Sequence, residues 1–244
     1  AVGFVGRHYS VLALAVEALA LEVGWIGSHG GGDRLAKLLR SAERIEPLAR
    51  YFEREKPDVV VIQFNHEVAR AAFGLGIPLV CFNDLPDNEI NARLSLPLAT
   101  RVFAPFVIPK EAFTRFGLAP EQVVHFPAID PVAWLADRRV HPDYPARLGL
   151  RADAPLGVCR ETEWQSSYVR DDVVATVAEV LAERHPEWEV LAIPRYEPHP
   201  FYDVPSLLSA ARLFVGGGGT MCVEAAWYGT RVVATRNFEC RYMR

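Results

Sequence analysis

Lysine is the scarce residue. The 244 residues hold 3 lysines, Lys37, Lys56 and Lys110, against 23 arginines, and 13 of those arginines lie between Asp130 and Arg244. A coding bias accounts for most of this choice, while arginine's two-pronged pairing with phosphate is a second reading that can hold beside it. Long apolar runs are also missing: Val11 to Val23 comes nearest and is broken by Glu17 and Glu22, so no membrane helix of about 20 residues is expected. No basic stretch followed by an apolar core opens the chain, so no signal peptide is read. Positive charge is not in excess. The 26 basic and 30 acidic residues leave a net charge of −4, which argues against a nucleic-acid partner.

The four cysteines, Cys81, Cys159, Cys222 and Cys240, share no metal-ligand spacing. Cys81 and Cys159, inside apolar strand-like runs, read as reduced, buried thiols of a cytoplasmic protein. No two histidines stand four apart, so no metal is expected. There is no Gly-x-Gly-x-x-Gly, no lysine after Gly219, and no Gly-x-Ser-x-Gly. Their absence speaks against a dinucleotide fingerprint, a phosphate loop of the Walker type and a hydrolase nucleophile turn.

What is present is an alternation. Half of the residues are apolar and 23% are charged, an ordinary globular balance. Short apolar runs alternate with amphipathic stretches. Strands are expected near residues 1–5, 22–26, 59–62, 78–82, 101–104 and 123–126, with helices between them. The longest helix is expected over Asp33–Lys56, with Leu35, Leu38, Leu39, Ile45, Leu48 and Phe52 on one side. The continuous run Val59–Ile62 suggests a strand covered on both faces. Pro127 to Leu150 carries four prolines and scattered charge, and reads as a connection. The alternation then restarts, with strands near 155–159, 188–193, 213–215 and 231–235. Strands alternating with helices on both sides of a connection imply two α/β halves with mostly parallel, doubly wound sheets. Ligands of such sheets sit beyond the carboxyl ends of the strands.

The residues after each expected strand are therefore the candidates. Leu213-Phe-Val is followed by Gly216, Gly217, Gly218, Gly219 and Thr220, and then by a helix. Glycine allows close backbone approach, and a helix N-terminus offers free N–H groups and a positive dipole end. This is a seat for a diphosphate. Glu224, about one turn into the helix, is placed to accept hydrogen bonds from a ribose. Arg160 and Glu161 close one strand and Arg195 the next, so the two arginines read as an anion clamp on the same rim. The first half brings His8, His29 and His66 and the Asn83-Asp84 pair to successive strand ends. His8, His29, His66 and Asp84 are the candidates for acid–base work.

These residues carry a resemblance. Ser28-His-Gly-Gly-Gly, residues 69–78, Phe82-Asn-Asp84, residues 94–99, residues 204–209 and Gly217-Gly-Gly-Thr-Met221 with Glu224 and Gly229 span nearly the whole chain. The sequence resembles the domain-of-unknown-function 354 family. It is more distantly similar to the GT-B superfamily of nucleotide-sugar glycosyltransferases and UDP-N-acetylglucosamine 2-epimerases. The resemblance implies an α/β, GT-B-like fold of two Rossmann-like domains facing a cleft. Residues 1–127 would form the acceptor and catalytic side, and 128–244 the side that binds the nucleotide diphosphate sugar. It implies phosphate contacts at Gly218, Gly219 and Thr220 and a ribose contact at Glu224. Such folds open with a strand, a turn and a helix ahead of the first strand seen here. The sequence is accordingly read as entering at the second strand, and as stopping before the closing helices.

The expected function is glycosyl transfer from a nucleotide sugar, most simply a UDP-linked one, as substrate. No separate cofactor is expected, and the acceptor, glycan or lipid, is left open. A 2-epimerase-like enzyme and a non-catalytic nucleotide- or glycan-binding protein are the alternatives. A dehydrogenase is disfavoured by the missing fingerprint. Oligomeric state stays open, with a homodimer among the options.

Overall fold

The structure is a computed structural model that describes residues 2–165, 173–197 and 199–235. The chain opens with β1 (Phe4–His8), α1 (Ser10–Ala18), β2 (Val23–Ser28) and α2 (Arg34–Glu55). β1 and β2 pair in parallel, with Phe4 opposite Val23. The Asp33 side chain accepts the Ala36 N–H at 2.8 Å and starts α2. Lys56 ends it in a left-handed conformation at φ 48°. Next come β3 (Val60–Ile62), α3 (His66–Gly74), β4 (Leu79–Phe82), α4 (Glu89–Ser95), β5 (Arg101–Pro105), α5 (Glu111–Thr114) and β6 (Val123–Phe126). These four strands form one parallel sheet in the order β3-β4-β5-β6. Leu48 and Phe52 of α2, with Ala69, Leu79, Val102 and Phe113, lie in the core beneath it.

Two expectations change here. Only the second half of α2 meets the core, so Leu35, Leu38 and Leu39 are 63%, 66% and 52% exposed. Arg44 is buried instead. Its Nε donates to the Ile26 carbonyl at 2.7 Å and its Nη1 to Asn65 Oδ1 at 2.9 Å, with Glu67 Oε2 at 3.6 Å. Buried charge is tolerated when it is paired and hydrogen-bonded in this way. β3 is covered on one face rather than two: Val60 and Ile62 are buried, and Val61 is exposed.

The connection holds two single turns, α6 (Val132–Leu135) and α7 (Tyr144–Arg147). Then follow β7 (Leu156–Arg160), α8 (Val174–Arg184), β8 (Glu189–Ile193), α9 (Val204–Ala210), β9 (Leu213–Gly216), α10 (Thr220–Trp227) and β10 (Arg231–Ala234). Their parallel sheet has the order β10-β9-β7-β8. Val158, Phe214, Leu207, Leu208 and Ala225 fill a second core. From β7 the chain steps to β8 on one side and then to β9 on the other. That reversal leaves a crevice at the carboxyl ends of β7 and β9, where open α/β sheets take their ligands. Cys81, Cys159 and Cys222 are buried, and Cys240 lies outside the described residues. Among the described residues no helix is long and apolar enough to cross a membrane.

Candidate functional site at the carboxyl ends of β7 and β9

A cleft of about 160 Å³, partly open to solvent, sits at this reversal. The glycine turn forms one wall. A side chain at Gly217 would put its Cβ 2.6 Å from Thr162 Cγ2, and Gly218 takes φ +83°, a conformation that suits glycine. Gly219 has no such neighbour: among the described residues, its chain neighbours aside, a Cβ there would meet no atom within 4 Å. Gly219 and Thr220 line the cleft. The N-cap, Gly219, has no side chain to cap α10, and Thr220, Met221 and Cys222 of its first turn line the cleft, the end of a helix where N–H groups lack intrahelical partners.

Arg160, Glu161 and Arg195 line the same cleft, together with Glu163. The two arginines do not form a free clamp. Arg195 Nε donates to Glu163 Oε2 at 2.5 Å, and the Arg195 backbone N–H donates to Glu161 Oε2 at 2.5 Å. The Tyr196 hydroxyl donates to Glu163 Oε1, and Trp164 Nε1 donates to Glu161 Oε1 at 2.8 Å. Arg160 Nη1 is tied to the carbonyls of Ile193 and Pro194, while its buried Nε has no hydrogen-bond partner among the described residues. Burial opposes the charges of both Arg195 and Glu163, but their mutual attraction prevails. It raises the arginine's pKa and lowers the carboxyl's. For Arg160 burial and the neighbouring Arg195 act together and lower the pKa.

Glu224 lies on α10 but is 8% exposed, and its Oε1 accepts the Trp134 indole N–H at 2.8 Å. Burial raises its pKa, and that hydrogen bond partly offsets the rise. Gly218 and Glu224 belong to the same turn and helix but are not among the residues that line the cleft.

Of the first-half candidates, the structure brings His29 toward this cleft. Its ring lies 4.9 Å from that of Tyr9, which is 6.5 Å from Tyr196. Nδ1 accepts the Gly31 N–H at 3.0 Å, leaving the proton of the neutral ring on Nε2. Burial, then Arg7 and Lys37, lower the His29 pKa, and Glu163 acts in the other direction. His66 is engaged on both ring nitrogens, by Ser41 Oγ at 2.9 Å and Asn91 Oδ1 at 3.1 Å, and so joins α2, α3 and α4. His8 is exposed, with its ring edge-on to Trp25 at 5.6 Å. Asp84 lies two residues beyond β4 and faces Asp130, four beyond β6. Burial, and after it the Asp84 charge, push the Asp130 carboxyl up to about 6.

Sequence reasoning passed over Glu163, Tyr196, Tyr9, Asp130 and Trp134. The rule that residues just past a strand line the site finds Glu163 and Tyr196, which stand three residues beyond β7 and β8. Asp130 and Trp134 belong to the irregular connection, where no periodicity marks them.

Two parallel α/β halves with a cleft at a strand reversal and an uncapped glycine-rich helix start define the class: a GT-B fold. Within that class, the chain belongs to the family described as "Protein of unknown function (DUF354)", which matches residues 4–240. It is 29% identical over 249 residues to the uncharacterized protein MJ0665 of Methanocaldococcus jannaschii, covering 93% of this chain and 71% of that one. Solved structures share the fold at low identity. S. aureus MnaA, solved with UDP, matches with a TM-score of 0.74 at 15% identity, over 97% of this chain and 71% of that one. The UDP-GlcNAc 2-epimerase of Neisseria meningitidis bound to UDP-GlcNAc matches at 0.71 and 15%, over 97% and 74%. The kitacinnamycin glycotransferase matches at 0.55 and 15%, over 98% and 74%.

Proposed function

We propose that the protein binds a nucleotide diphosphate sugar in this cleft and transfers its sugar, with the diphosphate seated on the turn Gly217–Thr220. The uncapped α10 N-terminus, facing open space at Gly219, carries this reading. Helix N–H groups and the dipole stabilise the negative charge of a departing diphosphate. Arg160 and Arg195 add positive charge at the same rim. His29 supplies a proton-carrying ring nitrogen from the opposite half, and Glu224 the ribose contact. We place the division of the two domains at residues 127/128. The likeness to proteins solved with UDP and UDP-GlcNAc makes a uridine nucleotide the first ligand to try.

One observation favours a 2-epimerase-like reaction as the second reading. Epimerisation requires a group that takes a proton and one that returns it, and Asp84 and Asp130 stand near one another past the carboxyl ends of β4 and β6, where burial and then Asp84 raise the Asp130 pKa.

Titration calorimetry with UDP, other nucleoside diphosphates and uridine tests the binding. UDP is expected to bind and uridine to bind at least about tenfold more weakly, as lost phosphate contacts imply. Absence of binding by every nucleoside diphosphate removes the proposal. Incubation with UDP-GlcNAc separates the reactions: isomerisation without acceptor or UDP release marks an epimerase, and acceptor-dependent UDP release marks a transferase.

A further inference from the structure

Neither of the two proposed reactions gives a role to Glu163. It lines the cleft beside the glycine turn, and its two oxygens take Arg195 Nε and the Tyr196 hydroxyl. We propose that Glu163 is a built-in anion occupying the Arg195 side of the diphosphate seat, which an incoming polyanion displaces, so that Glu163 sets both the affinity of the cleft and its preference for highly charged ligands.

The charges on the cleft wall make displacement necessary. Arg160 and Arg195 are balanced there by Glu161 and Glu163. A diphosphate entering with both carboxylates in place brings at least two more negative charges beside them. Glu161 is held by the Arg195 backbone N–H and by Trp164. Glu163, in the same irregular segment after β7, has only side-chain partners among the described residues, Arg195 and Tyr196, and no backbone donor. Its side chain and that of Arg195 are 30% and 31% exposed, so solvent reaches the pair and rotation of the Glu163 side chain is enough to part it.

The exchange conserves hydrogen bonds. When Glu163 leaves, Arg195 Nε and the Tyr196 hydroxyl are both freed, and two phosphate oxygens can take the places of two carboxylate oxygens. No donor is stranded, so the cost of an unsatisfied buried group is avoided. A neutral ligand cannot make this exchange and gains nothing from it. The same movement acts on the contact between the halves, because Tyr196 lies against Tyr9 and the neighbouring Gln165 carbonyl accepts from Lys37.

This inference deepens the proposed diphosphate seat, so its test uses a probe without a nucleoside. Inorganic pyrophosphate is titrated into the wild-type chain, Glu163→Gln and Glu163→Ala, with thermal unfolding followed in parallel. Either variant is expected to bind pyrophosphate about tenfold more tightly, the scale of one charge-assisted contact. Pyrophosphate is also expected to raise the melting temperature of the variant more than that of the wild type, since it supplies the partner that Arg195 has lost. Two results overturn the proposal: unchanged or weaker pyrophosphate binding in the variants, which makes Glu163 a positioning residue for Arg195, and no binding to any of the three proteins at millimolar pyrophosphate. UDP separates this from the nucleotide reading. If the variants gain for pyrophosphate while UDP binds no better than pyrophosphate, the nucleotide reading fails and the displaced carboxylate stands.

Discussion

Arg44 and Glu67 are 1% and 2% exposed and face each other at 3.6 Å between α2 and α3. Arg7 reaches the other Glu67 oxygen at 3.5 Å. This cluster holds β1, α2 and α3 in place beneath the first-half rim. His66 extends it to α4 through two hydrogen bonds. Asp130 is a different case. Its carboxyl is pushed from the usual 3.8 up to about 6, first by burial and then by Asp84. Between those values the folded chain holds a proton that the unfolded chain has released. Stability therefore falls as pH rises from about 4 to about 6 and levels off above. Asp130→Asn removes that ionisation. Urea unfolding across this range is expected to show the variant gaining on the wild type as pH rises, and remaining more stable at pH 7. A stability difference that does not vary with pH counts against the assignment.

At the scale of the element, β9, the glycine turn and α10 form one unit with two kinds of glycine. Gly217 is required by the protein, since its Cβ would lie 2.6 Å from Thr162 Cγ2, whereas Gly219 faces open space. The two respond differently to substitution. Gly217→Val is expected to destabilise the fold by about 1–3 kcal/mol through overpacking. Gly219→Val, at a φ of −92° that any residue adopts, is expected to leave the melting temperature nearly unchanged. It is nevertheless expected to weaken UDP binding at least about tenfold, because only the ligand meets the added side chain. Equal loss of stability in both variants argues against a ligand seat at Gly219. α2 shows how far pattern alone reaches. Its period of apolar residues marked the helix, yet Leu35, Leu38 and Leu39 are exposed, because a stripe tells nothing of how far the neighbouring core extends.

Across the whole molecule, the connection does more than join two sheets. Trp134 of α6 donates to Glu224 of α10, and Arg138 pairs with Asp203 at 2.9 Å. The cleft wall is thereby fastened to the segment that leaves the first half. Trp134→Phe keeps the ring but removes the donor to a buried carboxyl. The expected loss is about 1–3 kcal/mol in urea unfolding, the usual cost of stranding such a group. A loss below a few tenths of a kcal/mol shows that Glu224 finds water or another partner.

The alternation of strands and helices and the glycine turn were legible in the linear sequence. They rest on local properties: side-chain period, the missing Cβ of glycine, and the end of an apolar run. Gathering of Arg160, Glu161, Arg195 and the glycine turn on one rim followed from parallel strands ending at the same edge. Which charges are already spent was decided only by tertiary structure. Arg195 and Glu163 are 32 positions apart, as Trp134 and Glu224 are 90 apart. Burial of Arg44 depends likewise on Ile26, Asn65 and Glu67 arriving from other elements. A charge's state depends on which groups come within about 4 Å of it and on how much water they exclude, and neither quantity has a period along the chain.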